Sequence, residues 1–165
     1  MSQIGSATTR TLLGLLGAGS GLSAAIAEIA MRENIDVTPI AEAQMFAQDV
    51  SFDLAEKGSA FRYPAVYVYC EKVSNRLREK FRRFSGTVRM NVEIRVSQDR
   101  LERIQEKLQL YVDGVIQVLD SNRGDWGQGM TYSGAYEILF GTVRRGGTNY
   151  IQAAKVVLEV DVSQS

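Results

Sequence analysis

The chain of 165 residues has no histidine, one cysteine, two prolines and one tryptophan, and its nineteen basic residues are cancelled by nineteen acidic ones. Without histidine, the side chain that titrates near neutrality is missing, and with it the commonest general base, the usual nucleophilic triad and most zinc sites. The single thiol, Cys70, excludes an internal disulfide framework and a thiolate metal site, and reads as a cytoplasmic chain. A neutral chain carries no global field toward nucleic acid or anionic lipid. No phosphate loop ending in Gly-Lys-Ser/Thr occurs. Gly17-x-Gly19-x-Gly21 lacks both a preceding strand and the complete dinucleotide-loop pattern, and Arg123-Gly124-Asp125 matches an adhesion tripeptide that recurs by chance. The carboxylates are scattered over solvated faces. These absences assign no catalytic residue, no cofactor and no metal, and the chain is expected not to be an enzyme.

What is present is ordinary for a folded domain. Hydrophobic residues make up 45% and charged residues 23%. A single domain of this length buries about two-thirds of its unfolded surface. The charge is segregated: residues 1–60 carry three basic against seven acidic groups, residues 61–100 ten against four, and the remainder six against eight. The plain account of the basic block is a solvated hairpin. The sharper account sets the hairpin of one subunit against an acidic surface of the next, which gives an oligomer its register.

Residues 8–33 combine Arg10, a leucine run and Ala25-Ile26-Ala27, which is how a secretory signal looks. The glycines from Gly17 to Gly21 interrupt the apolar run, which is also too short for a membrane span. The segment reads better as helical material broken at the glycines, with Leu12, Leu15 and Leu16 on one edge and Leu22, Ile26, Ile29 and Ala30 on another. Thr38, Pro39 and Glu42 then suggest a helix start. Ile40, Ala43, Phe46, Ala47, Val50 and Leu54 continue it, and Gly58 suits its end.

Sheet signals follow. Pro64 opens a strand over 64–70 that is apolar on both faces. Over 87–96, Val88, Met90, Val92, Ile94 and Val96 alternate with Thr87, Arg89, Asn91, Glu93 and Arg95, a face expected to be wet or to meet a partner. Between them Arg76, Arg78, Lys80, Arg82 and Arg83 interleave with Phe81 and Phe84. That mix could contact phosphates and stack bases, or be a solvated hairpin with two core phenylalanines. A helix is predicted over 99–119, capped by Asp99 with Glu102 three residues on. Leu101, Ile104, Leu108, Tyr111, Val115 and Leu119 form its buried stripe. A glycine-rich loop over 120–133 holds Trp126, and strands over about 134–144 and 150–162 finish the chain.

The expected fold is α+β: a mainly antiparallel sheet of about four strands, packed by a long helix and a second helix, with an N-terminal helical extension (1–38) before the main domain (39–165). The order helix, strand, strand, long helix, strand, strand resembles the tail terminator family of siphophages and myophages and related tail-completion neck proteins. The resemblance covers roughly residues 39–163. It is carried by Tyr63-Pro64-Ala65-Val66-Tyr67-Val68, by Met90-Asn91-Val92-Glu93-Ile94-Arg95-Val96, and by the helix beginning Asp99-Arg100-Leu101. The glycine-interrupted segment 8–33 departs from it.

That resemblance implies a virion protein of the tail neck, assembled in the host cytoplasm. It would form a hexameric ring that ends tail-tube polymerisation, with the tail tube protein and head connector as partners, transient contact with DNA in the lumen and no membrane. Ring closure needs a heterologous interface. The expected contacts are the hairpin residues Arg76, Arg78, Arg82, Arg83 and Arg89 against Glu102, Glu106 or Asp113 of a neighbour, with Trp126 meeting a stacked ring. The rival readings are a free-standing α+β binding module, another connector-adjacent neck protein, and a secreted protein that loses residues 1–27.

Overall fold

Alternation decides the centre of the molecule. The structure, a computed structural model, describes residues 3–56 and 62–165. Strands β2 (Ala65–Asn75) and β3 (Phe84–Gln98) form a long antiparallel hairpin. On its other side β3 pairs with β7 (Asn149–Gln164), and β7 pairs with β5 (Met130–Phe140). The register aligns Val66 with Ile94 and Ala154, and Val68 with Val92 and Val156. One face of β2, β3 and β7 is therefore apolar and mostly branched, and it is buried.

Helices cover that face. The chain begins with α1 (Ile4–Gly17) and α2 (Leu22–Glu33), and α4 (Ile104–Ser121) follows β3. Leu12, Leu16, Leu22, Ile26 and Ile29 share one hydrophobic core with Leu108, Val115 and Leu119 of α4 and with the sheet. The segment expected as an extension thus supplies much of the central packing. Gly21 allows the break between α1 and α2, because a Cβ there would lie 2.4 Å from the Leu16 carbonyl oxygen. Gly114 lets α4 approach α2, where a Cβ would meet Ile26 at 2.9 Å. No single helix among the described residues is long and apolar enough to cross a membrane.

The fold is α+β, and the four expected strands are present as its four long ones. Among the described residues the sheet has seven strands rather than about four, in the order β1-β2-β3-β7-β5-β4 with β6 beside β7. It is also mixed, since β1 (Met45–Phe46) runs parallel to β2. The expected loop 120–133 folds instead into β4 (Gly124–Gly127) and the start of β5, and β6 is the short strand Arg144–Gly146.

The helix expected from residue 39 does not form. Its place is taken by a 3-10 turn (Glu42–Gln44), β1, and α3 (Phe52–Glu56). The apolar spacing served another purpose: Ile40 enters the main core, while Phe46 and Val50 pack over Ala65, Tyr67 and Tyr69 on the second face of β2. Phe46 stacks on Tyr67 with ring centroids 5.2 Å apart. Tertiary anchors hold the segment extended. Ser23 Oγ donates to the Ile40 carbonyl at 2.7 Å, and Tyr111 Oη donates to the Thr38 carbonyl at 2.6 Å. Covering an apolar strand face outweighed a helix propensity worth tenths of a kcal/mol per residue. The expected helix end at Gly58 lies outside the described residues.

Helix α4 starts five residues later than expected. Asp99 and Glu102 make no capping box; Arg103 occupies the cap position at φ 62°, with no side-chain cap bond. The Gln98 side-chain amide instead holds the turn that leads into the helix, donating to the Arg100 and Glu102 carbonyls at 2.5 and 2.6 Å. Leu101 is therefore outside the buried stripe, at 56% exposure.

Candidate interaction surfaces

The β2–β3 hairpin carries the basic block to one end of the sheet. Its connection, residues 76–83, holds Leu77 and Phe81 at positive φ. Phe84 is a core residue, whereas Phe81 is fully exposed and Leu77 is 62% exposed. The expectation of two core phenylalanines is thus half wrong. Alternation cannot be read through a turn, which is why Phe81 was not recognisable as a surface group. The hairpin is pinned at its base: Asn75 Oδ1 accepts from the Ser85 and Leu77 amides, and Asn75 Nδ2 donates to the Arg83 carbonyl at 3.0 Å.

Among the described residues, three of the five hairpin-region arginines have ion-pair partners within the chain. Arg78 Nη1 lies 3.4 Å from Asp161 Oδ1, Arg82 Nε lies 3.2 Å from Glu79 Oε2, and Arg89 Nε lies 3.6 Å from Glu71 Oε2. All three pairs are substantially exposed, and such pairs contribute about 0–1 kcal/mol. They can be exchanged for contacts with another molecule at little loss. Arg76 and Arg83 are exposed at the same tip. Arg78 and Arg89 also line an open groove of about 480 Å³ on the second sheet face, with Thr87, Glu137, Glu159 and Asp161.

The acidic candidates sit across the molecule. Glu106 and Asp113 are exposed on α4, whose buried side packs on the first sheet face, so they lie across the sheet from the groove that holds Arg78 and Arg89. Glu106 Oε2 is 3.7 Å from Arg103 Nε. Partial burial pushes the Asp113 carboxyl up; Arg32 opposes the shift and Glu33 adds to it. Glu102 is exposed just before the helix. The structure thus does not bring the basic and acidic candidates together within one chain.

Trp126 is not a free anchor. It is half-buried, its Nε1 donates to the Asn122 carbonyl at 2.6 Å, and its ring lies 5.5 Å from that of Tyr132, tilted by 44°. It fastens the β4–β5 hairpin to the end of α4. Burial raises the Tyr132 hydroxyl to about 12, with Asp120 adding to the shift. The exposed apolar groups lie nearby on β5 instead: Tyr136, Leu139 and Phe140 are 39%, 55% and 42% exposed. Beyond Tyr132 this strand has no partner on its outer edge among the described residues, since β4 reaches only to Met130–Tyr132. An unpaired apolar edge is a template for pairing with another chain.

The second sheet face was expected to be wet or to meet a partner. It does so only at Thr87 and Arg89; Asn91, Glu93 and Arg95 are buried. Arg95 lies between the rings of Phe52 and Tyr67, 4.2 Å from each centroid. Its Nε donates to Glu93 Oε2 at 2.6 Å and its Nη2 to the Val50 carbonyl at 2.5 Å, while Lys155 Nζ lies 3.8 Å from Glu93 Oε1. Burial raises the Tyr69 hydroxyl, and Glu93 adds to the shift against the opposing Lys155. Alternation placed these residues on one face, but nothing local announced the segment that covers them.

Among the described residues, no group of three or more acidic or cysteine side chains could hold a metal ion. No protein-family model matches the chain, and no curated protein sequence matches it significantly.

Proposed function

We propose that the chain is a structural protein of a phage tail neck, which forms a ring that ends tail-tube polymerisation and joins the tail to the head connector. The reading rests on the resemblance in element order from β2 onward, since the helix expected ahead of it does not form. The observation that carries it is the separation of the two charged surfaces. Arg76, Arg82 and Arg83 flank an exposed Phe81 at the hairpin tip, while Glu106 and Asp113 lie on the helix covering the opposite sheet face. Arg82 and Glu106 have only exposed partners within the chain, Glu79 and Arg103, and a neighbour placed head to tail can replace them, the heterologous contact that closes a ring. The unpaired outer edge of β5 adds a second surface suited to a neighbour. The mechanism is steric and interfacial, and no catalytic step is invoked.

The test is the solution mass of the purified chain, alone and with tail tubes, followed by imaging of any large species. Rings of six subunits are expected. Arg82→Glu with Arg83→Glu should leave a folded monomer that no longer assembles, because both side chains are exposed. A chain that stays monomeric and is not recruited to tail tubes would defeat the proposal, as would rings unaffected by the double substitution.

A further inference from the structure

A second concentration of positive charge lies away from the hairpin. The β6 turn sets Arg144 and Arg145 on the wall of a cavity of about 670 Å³, together with Asp49, Phe52, Arg95 and Ile151. Neither Arg144 nor Arg145 forms an ion pair with any described side chain. Both are held by aromatic faces instead: the Arg144 guanidinium is 4.7 Å from the Phe52 centroid and that of Arg145 is 5.9 Å from the Tyr150 centroid. Stacking uses the flat face of a guanidinium and leaves its N–H edge free for an acceptor with two oxygens.

The independent observation is Arg95. This side chain is 3% exposed, yet among the described residues its Nη1 has no hydrogen-bond partner. A buried donor without a protein partner is satisfied by a ligand or ordered water, and among the described residues Arg95 is the one such group that lines this cavity. Its other nitrogens are committed to Glu93 and Val50, which hold the guanidinium in place.

We propose that this cavity binds one carboxylate side chain of a protein segment, gripped by Arg144 and Arg145 with Arg95 behind them. The charge around the site favours a single anion over a run of phosphates. Glu93 already neutralises Arg95, and the Asp49 carboxylate on the wall repels a polyanion. The recessed position of Arg95 favours a slender side chain over a nucleic-acid backbone. This inference does not depend on ring formation, so its failure leaves the neck reading where it stands.

The experiment follows the arginine Nε–H resonances of the full chain by NMR. The probes are a capped Gly-Glu-Gly peptide, its Gly-Gln-Gly counterpart, inorganic phosphate and a short oligothymidylate. The glutamate peptide should give saturable shifts at Arg95, Arg144 and Arg145, and the glutamine peptide none. Arg144→Gln with Arg145→Gln, both exposed positions, should leave the chain folded and weaken binding by about ten- to a hundredfold. Tighter saturation by phosphate or oligothymidylate overturns the carboxylate assignment. An equal response to the glutamine peptide, or no saturable shift with any probe, overturns the site itself. Both results are read on the unaltered chain and need no variant to fold.

Discussion

Replacing Leu16 with alanine tests whether the N-terminal helices hold the fold together. Leu16 is 1% exposed and belongs to the same core as α4 and the sheet. Truncating a fully buried leucine costs about 2–5 kcal/mol, the transfer free energy of the lost methyl groups plus the cavity they leave. In a chain of this size each kcal/mol lowers the melting temperature by about 2–4 °C, so a fall of roughly 4–20 °C is expected. Met31→Ala is the matched control on α2, at 84% exposure, and should change stability by less than about 0.5 kcal/mol. The same reasoning extends to deletion of residues 1–38. Leu12, Leu16, Leu22, Ile26 and Ile29 are each buried, and at about 2 kcal/mol apiece they supply about 10 kcal/mol of gross burial. Total stability is only about 5–15 kcal/mol, so the truncated chain should not fold. Urea and thermal unfolding followed by circular dichroism provide the assay. If Leu16→Ala melts with Met31→Ala, or if residues 39–165 unfold cooperatively by themselves, the shared-core argument is refuted.

Two further perturbations probe the electrostatics. Glu93→Gln leaves Arg95 buried without its carboxylate and should cost about 3–5 kcal/mol, because an uncompensated charge remains. Arg95→Met in the same background should lose much less than the sum of the two single changes, and strict additivity in a denaturation cycle would contradict a coupled pair. Asp113 titrates above its ordinary 3.8 in the folded chain, so between that value and its folded pKa the native state binds more protons than the unfolded one. Stability therefore falls as pH rises through this window, and the penalty persists at neutrality. Asp113→Asn should raise the melting temperature slightly at neutral pH and flatten that part of the profile; an unchanged slope would show that the carboxylate is fully solvated.

Periodicity local to the chain determined the strands around Val88–Val96 and Ala154–Val162 and the stripe of α4 from Ile104 to Leu119, since each face is written into neighbouring residues. Composition alone also removed histidine chemistry. Tertiary structure decided everything that depended on what covers a face. Residues 39–54 have helical spacing, yet the exposed side of β2 drew Phe46 and Val50 across it and stretched the segment out. The same cover turned Glu93 and Arg95 from surface charges into a buried pair and left an Arg95 nitrogen beside a cavity. Phe81 and Phe84 are three positions apart with the same side chain, and only the turn between them puts one in solvent and the other in the core. A sequence records which residues can share a face. Whether that face meets water, a helix or another strand is settled by segments distant in the chain, and the candidate surfaces of this protein lie where that choice was made.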